Sequence, residues 1–480
     1  MHASRHGIST LKVFLLILAA LLLGFCAWSG WLVHWALNAT PSISVDYGQK
    51  LHELALQGQD ASAKNEHETL LRVGATLRQL DDEFQQKYGK PGDAPEEWSA
   101  ARVGFPVDLA ALEMPEVPAR AREIAREYLE RAGATTLLAD LATLRGARLV
   151  VRPAAPGALI SLLIPELGDA RKASRYCRGR AVVAAQAGDW ESFVGAITDM
   201  RGLSRAVNRD PILIGYLVGI AIDAAAADTL RESIIAHDIP LAALDKLAAV
   251  FAEDASRRGV IDAFEAERLM FMDISQRTHD KSGRFIPSAA GGLTGTGGPA
   301  GTSPAIANVV AIAMPSRRQT EALAERVYAR MKELGGMARK DRRGNPDDHL
   351  GIEVSTRYML LQLMIPAIGK AISAGDQGLQ QQRATRIIIA LERCRAARGE
   401  YPEKLGELVP EFLDAVPGDP YSELGFVYKP GPDRKARASY TLYSVGDDDE
   451  DNAGQRALTE HDALRPVGKG KDLVFMPKGP

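Results

Sequence analysis

Cysteine is scarce in this 480-residue chain. Cys26, Cys177 and Cys394 are too few and too scattered for a disulfide framework or a zinc knuckle, so they are expected to be buried small hydrophobes. An excess of positive charge is also missing. Lys and Arg number 58 against 61 Asp and Glu, with no basic cluster, which gives no reason to expect nucleic acid. Catalytic motifs are lacking too. There is no G-x-S-x-G elbow and no H-E-x-x-H pair. Ser9-Thr10-Leu11-Lys12 fits S-x-x-K only formally, because it stands where a basic flank meets an apolar run. Asp347-Asp348-His349 is the densest acid/His group and reads as polar loop. Glu265 and Glu267 lie two residues apart, hence on different faces of a helix, and do not form a catalytic pair. Composition and motifs therefore name no reaction.

What is present begins with one long apolar run. Leu11 to Leu37 carries a single charge, Lys12 at its edge. A bilayer core takes about 20 apolar residues as helix, so the run suffices for one span. His2, Arg5 and Lys12 precede it, and Trp28, Trp31 and Trp35 close it at near-helical spacing. The positive-inside rule and the aromatic belt then place the N-terminus in the cytoplasm and the rest of the chain outside it. The expected location is a bacterial inner membrane, single-pass, with most of the chain periplasmic. A cleaved signal peptide is the rival, but the run exceeds an ordinary h-region and tryptophans are odd beside a cleavage site. Phe25 before Cys26 is too bulky for a lipobox. Gly7-Ile8-Ser9-Thr10-Leu11-Lys12 is placed like a prepilin cleavage motif, but Lys12 stands where that motif has Glu, so a filament subunit is not expected.

The body reads as helical. The division expected is a basic tail at 1–10, a transmembrane helix at 11–37, a helical domain at 44–277, a Gly/Ser/Thr-rich linker at 278–304, a helical segment at 305–374 and an α+β module at 375–480. The fold class is thus mainly α, as antiparallel helical hairpins, with a small C-terminal α+β part. Ala173 to Ala187 forms a helix ended by Gly188, and Asp189 caps the next, which carries Trp190, Phe193, Ile197 and Met200. This unit resembles one tetratricopeptide-type repeat; a single copy makes a hairpin and leaves a solenoid open. Ile212 to Ile222 is apolar and holds Gly215-x-x-x-Gly219, but it is short and Asp223 and Asp228 follow, so a buried core helix is expected rather than a second span. Gly291 to Gly298 lacks the Gly-Lys-Ser/Thr of a phosphate loop and reads as linker. Residues 351–398 read as long helices broken near Pro366 and Gly375.

The last hundred residues carry the most specific pattern. A helix with Ile387-Ile388-Ile389-Ala390-Leu391-Glu392 leads to Gly399-Glu400-Tyr401-Pro402, Pro417-Gly418-Asp419-Pro420, an expected hairpin around Phe426–Tyr428 and Tyr440–Tyr443, then Tyr443-Ser444-Val445-Gly446-Asp447 and an acidic loop. In this order the blocks resemble the globular half of type II secretion major pseudopilins (protein G-like), a layout similar to the tails of large anchored bacterial proteins that are not pilins. The resemblance covers about Thr385 to Asn452. It implies a helix packed on a small sheet, and it implies calcium near Ser444, Asp448 and Asp451, although Asp449 replaces a usual glycine. Independently, Asp449-x-Asp451-x-Ala453-Gly454 with Glu460 has calcium-loop spacing, broken at Ala453 where a ligand is expected. Asp447, Asp448, Asp449, Asp451 and Glu460 are the candidate Ca2+ ligands; a solvated acidic turn is the competing reading. The expected function is a membrane-anchored interaction or structural protein with a protein partner, no nucleic acid and no catalytic residue. An envelope hydrolase with a site dispersed in sequence is the alternative.

Overall fold

A computed structural model describes residues 10–57, 64–90, 93, 109–112, 117–146, 158–159, 165–208, 211–252, 258–286, 289, 314–342, 351–352, 354–446, 450–454 and 472–476. It is mainly helical, with one three-stranded antiparallel sheet near the C-terminus. The helices are α1 (Thr10–Asn38), α2 (Tyr47–Leu56), α3 (His67–Tyr88), α4 (Ala119–Gly133), α5 (Leu137–Leu144), α6 (Pro165–Ala187), α7 (Trp190–Asn208), α8 (Leu213–Ala236), α9 (Leu241–Val250), α10 (Arg258–Thr278), α11 (Arg317–Gly336) and α12 (Met359–Arg398). The strands are β1 (Val427–Pro430), β2 (Tyr440–Ser444) and β3 (Leu473–Met476).

The hairpin expected around Gly188 is present. Gly188 ends α6 at φ +70°, which a residue with a side chain rarely adopts. The Asp189 carboxylate accepts the Ser192 N–H at 3.1 Å and caps α7. Phe193, Ile197 and Met200 are fully buried against α6 and α8. The Ala/Leu/Arg-rich stretch 119–145 forms two helices, separated by a turn at 134–136. There Thr135 Oγ1 donates to the Ala132 carbonyl at 2.6 Å and competes with the helical ladder.

By length and composition, the described helix able to cross a bilayer is α8, and 61% of its apolar window is buried inside the protein. It is the central core helix, touching α6, α7, α10 and α12. Its glycines serve that packing. A β-carbon at Gly219 would collide with the Asn208 amide. Ser204 also donates to the Gly219 carbonyl at 2.8 Å, locking α7 to α8. Val218 is buried, whereas Leu217, Ile220, Val182 and Val183 are only partly covered.

A 40-residue helix, α12, runs without a break past both Pro366 and Gly375 and across 374/375. The expected break at Gly375 is absent because a glycine costs only about 1 kcal/mol in a helix interior, and Ala371, Ile372 and Asp376 around it are buried; the passage through Pro366 has no such explanation. Gly375 is needed for packing: the Tyr216 hydroxyl occupies the space its β-carbon would take. Ala384, Ile387, Ile388, Leu391 and Cys394 are buried as one stripe. They share a continuous core with α3–α9 on one side and with Tyr401, Leu408, Tyr440, Leu442 and Met476 on the other.

Buried charge fixes the helix laterally. Arg201 reaches Asp223 at 2.6 Å, and Asp223 also accepts from Gln382 of α12. Arg342 makes a two-pronged pair with Asp376 at 2.7 and 3.0 Å, both side chains buried. Such pairs contribute little net stability, but losing one partner strands a charge in the core.

Candidate functional site

The C-terminal end of α12 and the sheet meet around Glu392. This carboxylate follows the apolar run 387–391 on a buried face, so its charge must be met from within the chain. Tyr401 donates to Glu392 Oε1 at 2.7 Å and Tyr440 to the same oxygen at 3.2 Å. Arg395 approaches Oε2 at 3.3 Å. Burial pushes the Glu392 carboxyl above its ordinary range, and these hydrogen bonds only partly offset it. The Tyr401 hydroxyl also accepts the Ala438 N–H at 3.0 Å, and the Tyr401 and Tyr440 rings pack edge to face, 4.7 Å apart. Gly399 ends the helix in the left-handed region at φ +84°. The junction is a closed, satisfied network whose geometry holds the sheet against α12.

The sheet runs β1-β2-β3, with Val427 opposite Tyr443 and Leu442 opposite Met476. β1 and β2 form the hairpin expected from the runs at 426–428 and 440–443, and β3 pairs with β2. The Asp419-Pro420 turn is buried, its carboxylate accepting from Gln380 and from the Tyr421 N–H, each at 3.0 Å. Leu408 is buried in a single 3-10 turn, Leu405–Leu408, while the neighbouring Val409 is exposed.

Of the candidate calcium ligands, Asp447, Asp448, Asp449 and Glu460 lie outside the described residues. Asp451 is described. Its Oδ1 accepts from the Tyr443 hydroxyl and from the Ala453 N–H, each at 2.8 Å. These bonds hold its carboxyl below the ordinary range. Asp472, which sequence reasoning passed over, faces the same turn. It accepts the Asn452 N–H at 3.2 Å and the Gly454 N–H at 2.6 Å. Ala453 at φ +61° and Gly454 at φ +82° make this turn tight and aim those N–H groups inward. Among the described residues no group of three or more His, Cys, Asp or Glu side chains is arranged to hold a metal ion.

Cavities among the described residues include two whose linings bear on function. One, of about 220 Å3, lies between α9, α12 and the loop 410–414, with Arg386 and Arg393 on one wall and Glu411 and Asp414 on the other. Arg393 is already fixed by Asp245 at 2.7 Å and by the Phe412 carbonyl at 3.0 Å. Ligand pockets usually measure about 300–1,000 Å3, so this one suits a single side chain or a short polar segment. The other, of about 20 Å3, lies beside His279 and admits a water at most. Burial lowers the pKa of His279, more than the Ser275 and Pro315 carbonyls raise it, so the ring is neutral. Neither cavity brings a histidine together with a carboxylate. Asp347-Asp348-His349 and Ser9 lie outside the described residues.

Cys177 and Cys394 are buried, as expected, and burial raises both thiols; Cys26 is exposed instead, on α1. Compared with protein-family models, curated proteins and solved structures, the chain matches none.

Proposed function

We propose that this chain is a membrane-anchored, exported interaction protein of a bacterial envelope: α1 spans the inner membrane, the helical body lies outside the cytoplasm, and the C-terminal helix-and-sheet part engages a protein partner. The observation that carries the proposal is the contrast along α1. Leu21, Leu22, Leu23, Phe25, Trp28 and Trp31 are exposed, with Leu23 at 72%. An unbroken apolar surface of that kind on a 29-residue helix calls for a non-aqueous surrounding. The end of the same helix is bonded to the body, as Trp35 Nε1 donates to Asp280 at 2.7 Å. A disposable signal segment has no use for such a bond.

The pseudopilin-like character of the tail belongs to the same proposal. Its support is the buried stripe of α12 lying on the β1-β2-β3 sheet, with Tyr401 and Asp419 built into the junction. Since α12 also belongs to the body, the tail acts as its fixed end rather than as a filament subunit. Two measurements on native membranes test the proposal together. The chain is expected to resist carbonate extraction, and mass spectrometry is expected to find its N-terminus uncut. Release by carbonate would remove the anchor, and a cut after Gly7 would make the chain a processed pilin.

A further inference from the structure

The exit of α1 is surrounded by a rigid turn. Asp280 Oδ2 holds Trp35, while Asp280 Oδ1 accepts the Ser282 and Arg284 N–H groups at 2.8 and 2.9 Å. The Arg284 guanidinium lies 4.7 Å from the Trp31 ring centroid, a cation–π distance. The first turn of α11 joins from the side: the Arg317 N–H donates to the Gly283 carbonyl at 2.9 Å. The Arg317 guanidinium donates to the Ser42 carbonyl at 3.0 Å, just past the end of α1. Residues 42–45 are tied down by the His279 carbonyl and by Gln276 Oε1. The turn, α11 and α1 therefore form one collar.

Its charge is one-sided. Lys281, Arg284 and Arg318 are exposed on it. The acids there are occupied: Asp280 by Trp35 and its own turn, Glu321 by Arg317 at 2.7 Å, and Asp46, just past residues 42–45, by the Gln49 N–H that it caps at 2.9 Å. No Asp, Glu, Lys or Arg occurs between Arg284 and Arg317, so the intervening sequence offers no counter-charge. Depth follows from helix rise. Leu11 to Trp31 as helix measures about 31 Å, and a hydrocarbon core is about 30 Å thick. Trp31 then sits at the hydrocarbon boundary, and the guanidinium stacked on it lies among the headgroups.

We propose that this collar binds anionic phospholipid headgroups of the leaflet where α1 emerges, with Lys281, Arg284 and Arg318 meeting lipid phosphates around Trp31. The proposal rests on α1 being an anchor. Phosphate contacts at the collar would orient the body on the membrane, since the turn cannot swivel on Trp35.

The test uses the full chain in vesicles containing a fixed fraction of brominated lipid, which quenches nearby tryptophan fluorescence. Brominated phosphatidylglycerol is expected to associate with the α1 tryptophans roughly fivefold more strongly than brominated phosphatidylcholine, a preference weakened by salt. The combined variant Lys281→Gln, Arg284→Gln, Arg318→Gln should bring the two lipids to parity with unchanged circular dichroism. Arg284→Lys alone should keep the preference. Equal quenching by the two lipids in the parent chain, or a preference that survives the triple variant, overturns the collar and leaves the anchor standing. Absence of quenching by either lipid would remove the anchor itself.

Discussion

Glu265 and Glu267 show how two identical side chains on one helix acquire different chemistry. Burial pushes the Glu265 carboxyl up, but hydrogen bonds from Arg268 at 3.1 Å and Lys332 at 2.6 Å outweigh it and leave the group below its usual range. Glu267 is desolvated, and its pKa rises to about 7. The spacing of two already placed them on different faces; which face was dry depended on α11, far away in sequence. Between about pH 4.5 and 7 folded Glu267 holds its proton more firmly than the unfolded chain does. Stability therefore falls as pH rises through that window and is level above it. Glu267→Gln is expected to be more stable than the parent at pH 8, by up to about 3 kcal/mol, with the gap closing toward pH 4.5. Thermal melts at several pH values would show it; parallel curves for the two proteins would refute it. The second residue-scale outcome concerns the junction. Tyr401→Phe removes the hydroxyl that serves Glu392 and Ala438 and should cost about 1–3 kcal/mol, read from denaturant midpoints.

Helix α12 is the element that organises the molecule, and it was only half legible. Its buried stripe from Ala384 to Cys394 follows from the 3.6-residue period, as do β1 and β2 from their aromatic and β-branched runs. Its continuity did not follow, because Pro366 and Gly375 are breakers by local rules and only the contact with Tyr216 explains the glycine. The ion pairs that clamp it, Arg342 with Asp376 and Arg201 with Asp223, join residues 34 and 22 positions apart with no motif to announce them. Asp376→Ala should therefore cost about 3–5 kcal/mol, because it leaves Arg342 charged and buried. The loss should appear in body and tail alike, since both pack on α12; a melt in which only the tail loosens would contradict the shared core. The acidic loop is a second element-scale case. Asp447, Asp448, Asp449 and Asp451 crowd like charges within five positions of the sequence, so calcium is proposed to raise the melting midpoint of the full chain over a chelator. At tenfold excess over its Kd the gain is about 1.4 kcal/mol. An unchanged midpoint would leave a solvated turn capped by Asp451 and Asp472.

At the scale of the whole molecule, the two largest of three cores among the described residues meet on the central helices. The larger gathers α3–α9, the last turns of α12 and the sheet; the smaller gathers α10, α11 and the start of α8 with the middle of α12. Sequence patterning foretold a helical body with a small α+β tail, but it set the tail apart as a unit of its own. The continuous core makes body and tail mechanically one, because Ile387, Ile388 and Leu391 serve both. The collar escaped sequence reasoning for a related reason: Trp35 and Asp280 are 245 residues apart and only folding brings them together. A body clasping the end of an apolar helix is the physical basis of the proposed anchoring and export. Adding protease to intact spheroplasts tests it most directly. The body is expected to be digested from outside, leaving a short membrane-protected fragment that contains α1. A full-length chain that survives in intact spheroplasts and is cut only after lysis would contradict the account.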